Sequence, residues 1–134
     1  MKPSGGLRVG IDLVQVSRIA ESIERFGDRF LRRVFTEEEI AYATSAPAAA
    51  PERLAARFAA KEATMKALGL VQDPSDWRHI EVRRSTDGAC EVSLHGSVRE
   101  AAARLGASSF SLSMSHEGDY ATAVVITTIR ENPC

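Results

Sequence analysis

Hydrophobic and polar residues alternate along Leu7–Val14, where Val9, Ile11 and Leu13 interleave with Arg8, Gly10 and Asp12. A period of two predicts a strand. The period then lengthens. Ile19, Ile23 and Phe26 share one face of a helix predicted over Ser17–Phe26, with Gly27 as its stop. Thr36 and Glu39 have capping-box spacing, which starts a helix running to Thr44. SAPAAAP is a turn-rich connection, and Pro51 suits the first position of a long helix that ends at Gly69. HIEVRR and CEVSL read as strands flanking the turn residues Thr86-Asp87-Gly88. SVREAAARLG gives another helix, with Gly106 past its end. SFSLSMSH alternates strictly, and YATAVVITTI continues as its hairpin partner after Glu117-Gly118-Asp119. The order β-α-α-α-β-β-α-β-β predicts an α+β fold with helices packed on an antiparallel sheet.

Composition narrows the class. A chain of 134 residues with 44% hydrophobic side chains can fill one core, so residues 1–134 are expected to form a single domain behind a flexible lead-in at 1–6. No apolar run is long enough for a membrane span. The basic and acidic side chains nearly cancel (17 against 18), which argues against broad nucleic-acid binding. Two cysteines, Cys90 and Cys134, make no disulfide framework, and a reducing cytoplasm is the expected compartment.

The stretch RFAAKEATMKALG, residues 57–69, concentrates charge in an alanine-rich helix. At about 100° per residue, Leu54, Phe58 and Met65 fall on one side with Leu68 nearby. Ala56, Ala59, Ala60, Ala63 and Ala67 fall nearly opposite, where another backbone can approach closely. Such a helix is expected to be covered on both sides, which confines its charges to two seams. Glu62 and Lys66 occupy one seam; Arg57 and Lys61 occupy the other, with Lys61 leaning into the apolar stripe. Glu62 and Lys66 also have the spacing of an ordinary helix-surface pair, worth only ~0.2–0.5 kcal/mol.

Asp12 ends an apolar strand, where an ionised carboxylate needs a cation or donors to compensate it. It can cap the following turn, or it can join Glu62 as a pair of carboxylates on a hard cation. Magnesium takes one or two protein carboxylates, keeps water and accepts phosphate oxygens. Two acids with lysine and arginine nearby therefore suggest a metal-and-phosphate site. In the first predicted helix, Arg18 and Arg25 share a side, which Arg29 extends if the helix survives Gly27; Arg32 and Arg33 add to the local excess. Such a stripe is either a solvated face or a docking surface for an acidic protein. His116 closes the alternating strand, a position that more often holds a packing or turn-bonding residue than a catalyst.

Three blocks, GIDLVQVSRI, RFAAKEATMKALG and SLSMSHEGDYATAVV, resemble the motifs of acyl carrier protein synthase, the small single-domain class of 4'-phosphopantetheinyl transferase. The resemblance spans nearly the whole chain, and F-x-x-K-E-A-x-x-K-A is its most specific part. It implies a homotrimer with sites between subunits, coenzyme A and magnesium as requirements, and an acidic apo acyl carrier protein as acceptor. It makes Asp12 and Glu62 the metal-binding carboxylates and Lys66 the lysine near the transferred phosphate. Arg57, Lys61 and His116 match positions that contact coenzyme A or its phosphates; Arg18 and Arg25 match positions that meet the carrier protein. Larger members carry a second acid where this chain has Val14, which fits the small class. Two segments near the nucleotide end of coenzyme A depart from the family pattern. A Gly-Thr-Gly-like loop is replaced by LGLVQDPSDW, and a proline following the hairpin glycine is replaced in Ala89-Cys90.

The expected activity is transfer of 4'-phosphopantetheine from coenzyme A to a carrier-protein serine, with Glu62 a candidate for taking the serine proton. The alternative is a non-catalytic carrier-binding module that kept the fold after losing coenzyme A affinity.

Overall fold

The computed structural model describes residues 6–70 and 74–130. Most of the expected lead-in lies outside the described residues, while Gly6 already pairs with Ile129. The elements are β1 (Gly6–Gln15), α1 (Val16–Phe26), α2 (Asp28–Val34), α3 (Glu37–Thr44), α4 (Ala50–Leu68), β2 (Ile80–Arg84), β3 (Cys90–Leu94), α5 (Gly96–Leu105), β4 (Ala107–Glu117) and β5 (Tyr120–Ile129). The fold is α+β and all strand pairs are antiparallel, but the strands divide into two sheets. One has the order β1-β5-β4; the other is the β2-β3 hairpin.

One helix was not expected. Gly27 turns left-handed (φ 55°) and ends α1, but the chain re-enters a helix at Asp28. Leu31 and Val34 of this α2 are buried and Phe30 packs beside them, so apolar spacing prevails in an arginine-rich stretch. Arg29 thus belongs to a separate helix. The expected stripe of α1 also shifts: Ile19 is buried and Ile23 and Val16 pack beside it, while Phe26 is exposed under the Arg25 guanidinium. The capping box forms as expected, with Thr36 and Glu39 exchanging side chain-to-backbone bonds at the start of α3.

α4 is the centre of the molecule. Its alanine side lies on β1 and β5, and its other sides are covered by α1, α3 and β2. Ala59, Ala60, Ala63 and Ala67 are buried there. The contact is made at backbone distance: a Cβ on Gly10 would lie 1.8 Å from the Ala63 carbonyl oxygen. Side chains alternate across a strand, so Gly10 facing the helix forces Arg8, Asp12 and Val14 to face it too. Arg8 uses this to cap α4, donating through Nε to the Ala67 carbonyl at 3.0 Å.

The same alternation turns the large residues of β1 outward. Leu7, Val9, Ile11 and Leu13 are 71%, 62%, 60% and 65% exposed. Register carries this face across Ile126 and Val124 of β5 to Ser111 and Ser113 of β4. On the inner face, Phe110, Leu112 and Met114 of β4 pack into the core. The alanine side of α4 and the apolar residues of SFSLSMSH are therefore satisfied within the chain. The outer row of β1 supplies four of the large apolar side chains left exposed among the described residues.

Gly10→Ala should destabilise the domain by about 3 kcal/mol, the upper range for overpacking, because backbone rather than a flexible side chain must move. Urea unfolding measures this; an unchanged midpoint would mean that helix and strand are not in backbone contact.

Candidate active site

Two clefts flank α4. The first, about 470 Å³, is lined by Asp12, Gln15, Arg18, Phe58, Glu62 and Tyr120, among others. Asp12 reaches it because Gly10 fixes the facing of β1, and Glu62 because it occupies the seam between the covered sides of α4. One turn further along α4, Lys66 extends to β1. Its Nζ donates to the Ile11 carbonyl at 3.0 Å and to Asp12 Oδ1 at 3.1 Å. Asp12 is mostly buried and Lys66 half-exposed, so the ammonium meets the carboxylate from the solvent side. The cost of placing a carboxylate at this strand position is offset by that cation. Thr122 Oγ further fixes the strand by donating to the Asp12 carbonyl at 2.8 Å.

The two carboxylates supply oxygen donors only, and no group of three or more His, Cys, Asp or Glu side chains suited to a metal occurs among the described residues. That donor set fits a hard cation that keeps water and ligand oxygens in its shell, as magnesium does.

The second cleft, about 380 Å³, is lined by Tyr42, Arg53, Arg57, Arg84, Cys90 and His116, among others. Three guanidiniums surround the Tyr42 ring. Arg53, Arg57 and Arg84 lie 4.3, 4.4 and 5.1 Å from its centroid. Arg84 also donates to the Tyr42 hydroxyl at 2.6 Å. Arg57 is buried, and its Nε finds no hydrogen-bond partner. Burial lowers its pKa, with Cys90, Tyr42 and Glu39 acting in the opposite direction. A buried, underused donor among like charges is costly unless an anion arrives. His116 Nδ1 lies 3.2 Å from Glu52 Oε2 at the same cleft. Of the Ala89-Cys90 segment that replaces the family's proline, Cys90 lines this cleft, whereas residues 71–73 of the altered loop lie outside the described residues.

Lys61 requires a correction. Expected at a phosphate, it is fully buried in the core. Its Nζ donates to Glu39 Oε1 at 2.8 Å, to the Trp77 carbonyl at 3.1 Å and to the Ile80 carbonyl. An ammonium has three donors, so all are used. Burial lowers the Lys61 pKa and the Glu39 carboxylate holds it up. Glu39 meanwhile receives the Thr36 and Val82 backbone N–H groups, each at 2.8 Å, tying α3, α4 and β2 together. The lean of Lys61 into the apolar stripe was visible in the helical spacing; its partner was not.

Arg18 lines the first cleft, while Arg25 is exposed at the last turn of α1. Tyr42, Arg53 and Arg84 were missed. Arg53 stands one turn before Arg57, a signal present in the spacing, but Tyr42 and Arg84 arrive from α3 and β2 and have no local signature.

This arrangement, two acids in one cleft with a lysine bonded to one of them and an arginine-rich cleft elsewhere along α4, accompanies a family match. The chain belongs to the 4'-phosphopantetheinyl transferase superfamily, whose model matches residues 8–125. Within it, the similarity is to proteins named holo-acyl-carrier-protein synthase. The Koribacter versatilis protein is 50% identical over 121 residues, covering 90% of this chain and 96% of that protein. The Moorella thermoacetica protein is 45% identical over 122 residues, covering 90% and 92%. Among solved structures, the ACPS–CoA complex of Chronobacterium ammoniagenes superposes with a TM-score of 0.83 at 33% identity, covering 94% of this chain and 99% of that one.

Lys61→Met should cost about 3–5 kcal/mol in a denaturation experiment, because it leaves the Glu39 carboxylate buried without its cation. A wild-type midpoint would instead leave the ammonium available to a ligand.

Proposed function

We propose that this chain transfers 4'-phosphopantetheine from coenzyme A to a serine hydroxyl of an apo acyl carrier protein, releasing adenosine 3',5'-bisphosphate. The observation that carries the reading is the meeting of Asp12 and Glu62 in one cleft, with Lys66 bonded to Asp12, although fifty positions separate the acids. Relatives named holo-acyl-carrier-protein synthase and a relative crystallised with coenzyme A support the substrate pair.

In this reading Glu62 takes the proton as the serine oxygen bonds to the phosphorus bearing pantetheine. The bond from that phosphorus to the bridging oxygen breaks, and the electron pair leaves with the nucleotide phosphate. Lys66, held by the Ile11 carbonyl and Asp12, stabilises the charge that develops on the leaving group. Asp12 and Glu62 would hold magnesium, which supplies charge neutralisation at the pyrophosphate when bound. Arg57, with Arg53, Arg84 and His116, anchors the nucleotide phosphates in the second cleft, taking the place first given to Lys61. Arg18 and Arg25 of α1 meet the acidic carrier.

Loss of coenzyme A affinity, as a non-catalytic module would require, gains no support from the Cys90 side: the cleft there keeps its three guanidiniums. No helix among the described residues is long and apolar enough to cross a membrane. The two cysteines favour a reducing cytoplasm as the working compartment.

A homotrimer belongs to the same proposal, and the uncovered outer row of β1 supports it. Four adjacent large apolar side chains standing in water mark an interaction face.

Incubation with coenzyme A, magnesium and an apo carrier, followed by intact mass measurement, should show one phosphopantetheine added per carrier. Asp12→Ala and Glu62→Ala should each abolish that product while the variants still unfold in one cooperative transition, so that the loss is of chemistry and not of fold. Near-wild-type turnover by either variant in saturating magnesium would defeat the assignment.

Light scattering at micromolar concentration should give a trimeric mass for the wild type. Ile11→Glu should give a folded monomer, since Ile11 makes little core contact. A monomeric wild type would remove the trimer from the proposal.

A further inference from the structure

α1 starts directly after β1, and Gln15, at its N-cap position, makes no side-chain cap bond. The first backbone N–H groups of a helix have no partner within it. Here they are met from the far end of the chain. Asp119, in the turn between β4 and β5, accepts the Val16 N–H through its backbone carbonyl at 2.7 Å. Its carboxylate accepts the Ser17 N–H through Oδ1 at 3.0 Å and the Ser17 hydroxyl through Oδ2 at 2.6 Å. The hydrogen bond from Ser17 keeps the Asp119 carboxyl below its usual pKa. A negative charge at this end also suits the helix dipole.

The residues beside this latch on both sides face the first cleft. Arg18 follows Ser17, Tyr120 follows Asp119, and both line the cavity that holds Asp12 and Glu62. Gln15 lines it too, paired in register with Tyr120. The latch therefore fixes the wall of the cleft that stands across from α4.

We propose that Asp119 is a positioning residue: it locks the first turn of α1 to the β4–β5 turn and so aims Arg18 at the carrier protein. This rests on the transferase reading given above. Asp119 touches no reacting atom and acts only through where α1 points. A general loss of stability would act on every substrate; a positioning role acts on the carrier alone.

The experiment is steady-state transfer by Asp119→Ala, Arg18→Ala and the double variant, varying carrier and coenzyme A in turn at a temperature where all are folded. Asp119→Ala should lower kcat/KM for the carrier about fivefold, the scale of one lost helix cap, and leave the KM for coenzyme A at its wild-type value. In the Arg18→Ala background the same change should have no further effect, since the residue it aims is gone. Asp119→Asn keeps an acceptor oxygen and should recover part of the loss. Ser17→Ala, which removes one bond from the other side, should lower the same constant. Equal effects on both substrates, or additive effects of Asp119→Ala and Arg18→Ala, would overturn the proposal while leaving the transferase reading standing. A wild type that transfers nothing would overturn both.

Discussion

The backbone contact between α4 and β1 sets the rest of the structure. Gly10 presents no side chain, Ala63 and Ala67 present almost none, and the helix lies against the strand with no room for a Cβ. This fixes which way every residue of β1 faces. Asp12 is directed to the helix and meets Lys66, Arg8 reaches the end of α4, and Leu7, Val9, Ile11 and Leu13 are left outside. One steric fact thus accounts for a carboxylate at an inner strand position and for an apolar row on the outer surface. Local preference alone would have put those faces the other way round.

A second constraint works at right angles to the first. Lys61 and Glu39 bind each other without solvent contact and draw in Thr36, Trp77, Ile80 and Val82. A buried ion pair is a poor source of stability, but breaking one side of it is expensive, and its fixed donors and acceptors allow one arrangement. That arrangement sets the β2-β3 hairpin against α4 and so brings Arg84 and Cys90 to the cleft holding Arg57. The sheet side of α4 builds the acid site; the hairpin side builds the arginine site. Both use seams of a single helix that has no solvated face.

Much of this was legible in the chain. The strands, the capping box and the two covered sides of α4 follow from periodicity and cap chemistry, which are local. The family motifs brought Asp12, Glu62 and Lys66 into one proposal, and their spacing on α4 explained why two of them share a seam. Other features were not local. α2 was hidden because its arginines mask an apolar spacing that only packing reveals. Lys61 carries the same charge whether it meets a phosphate or Glu39, and no pattern in one helix distinguishes the two. Tyr42 and Arg84 meet Arg57 only after α3 and β2 have docked. The outward turn of β1 depends on Gly10 meeting Ala63, a contact between positions far apart in sequence.

The central claim is that this packing makes Asp12 and Glu62 one site. The direct measurement is a double-mutant cycle on magnesium-dependent coenzyme A binding, read by calorimetry with wild type, Asp12→Asn, Glu62→Gln and the double variant. Groups that act through one shared cation are coupled, whereas independent groups give additive losses. The account predicts that either substitution removes the magnesium-dependent part of the affinity and that the double variant is no weaker than the weaker single. Losses that add, or magnesium dependence that survives in a single variant, would contradict it.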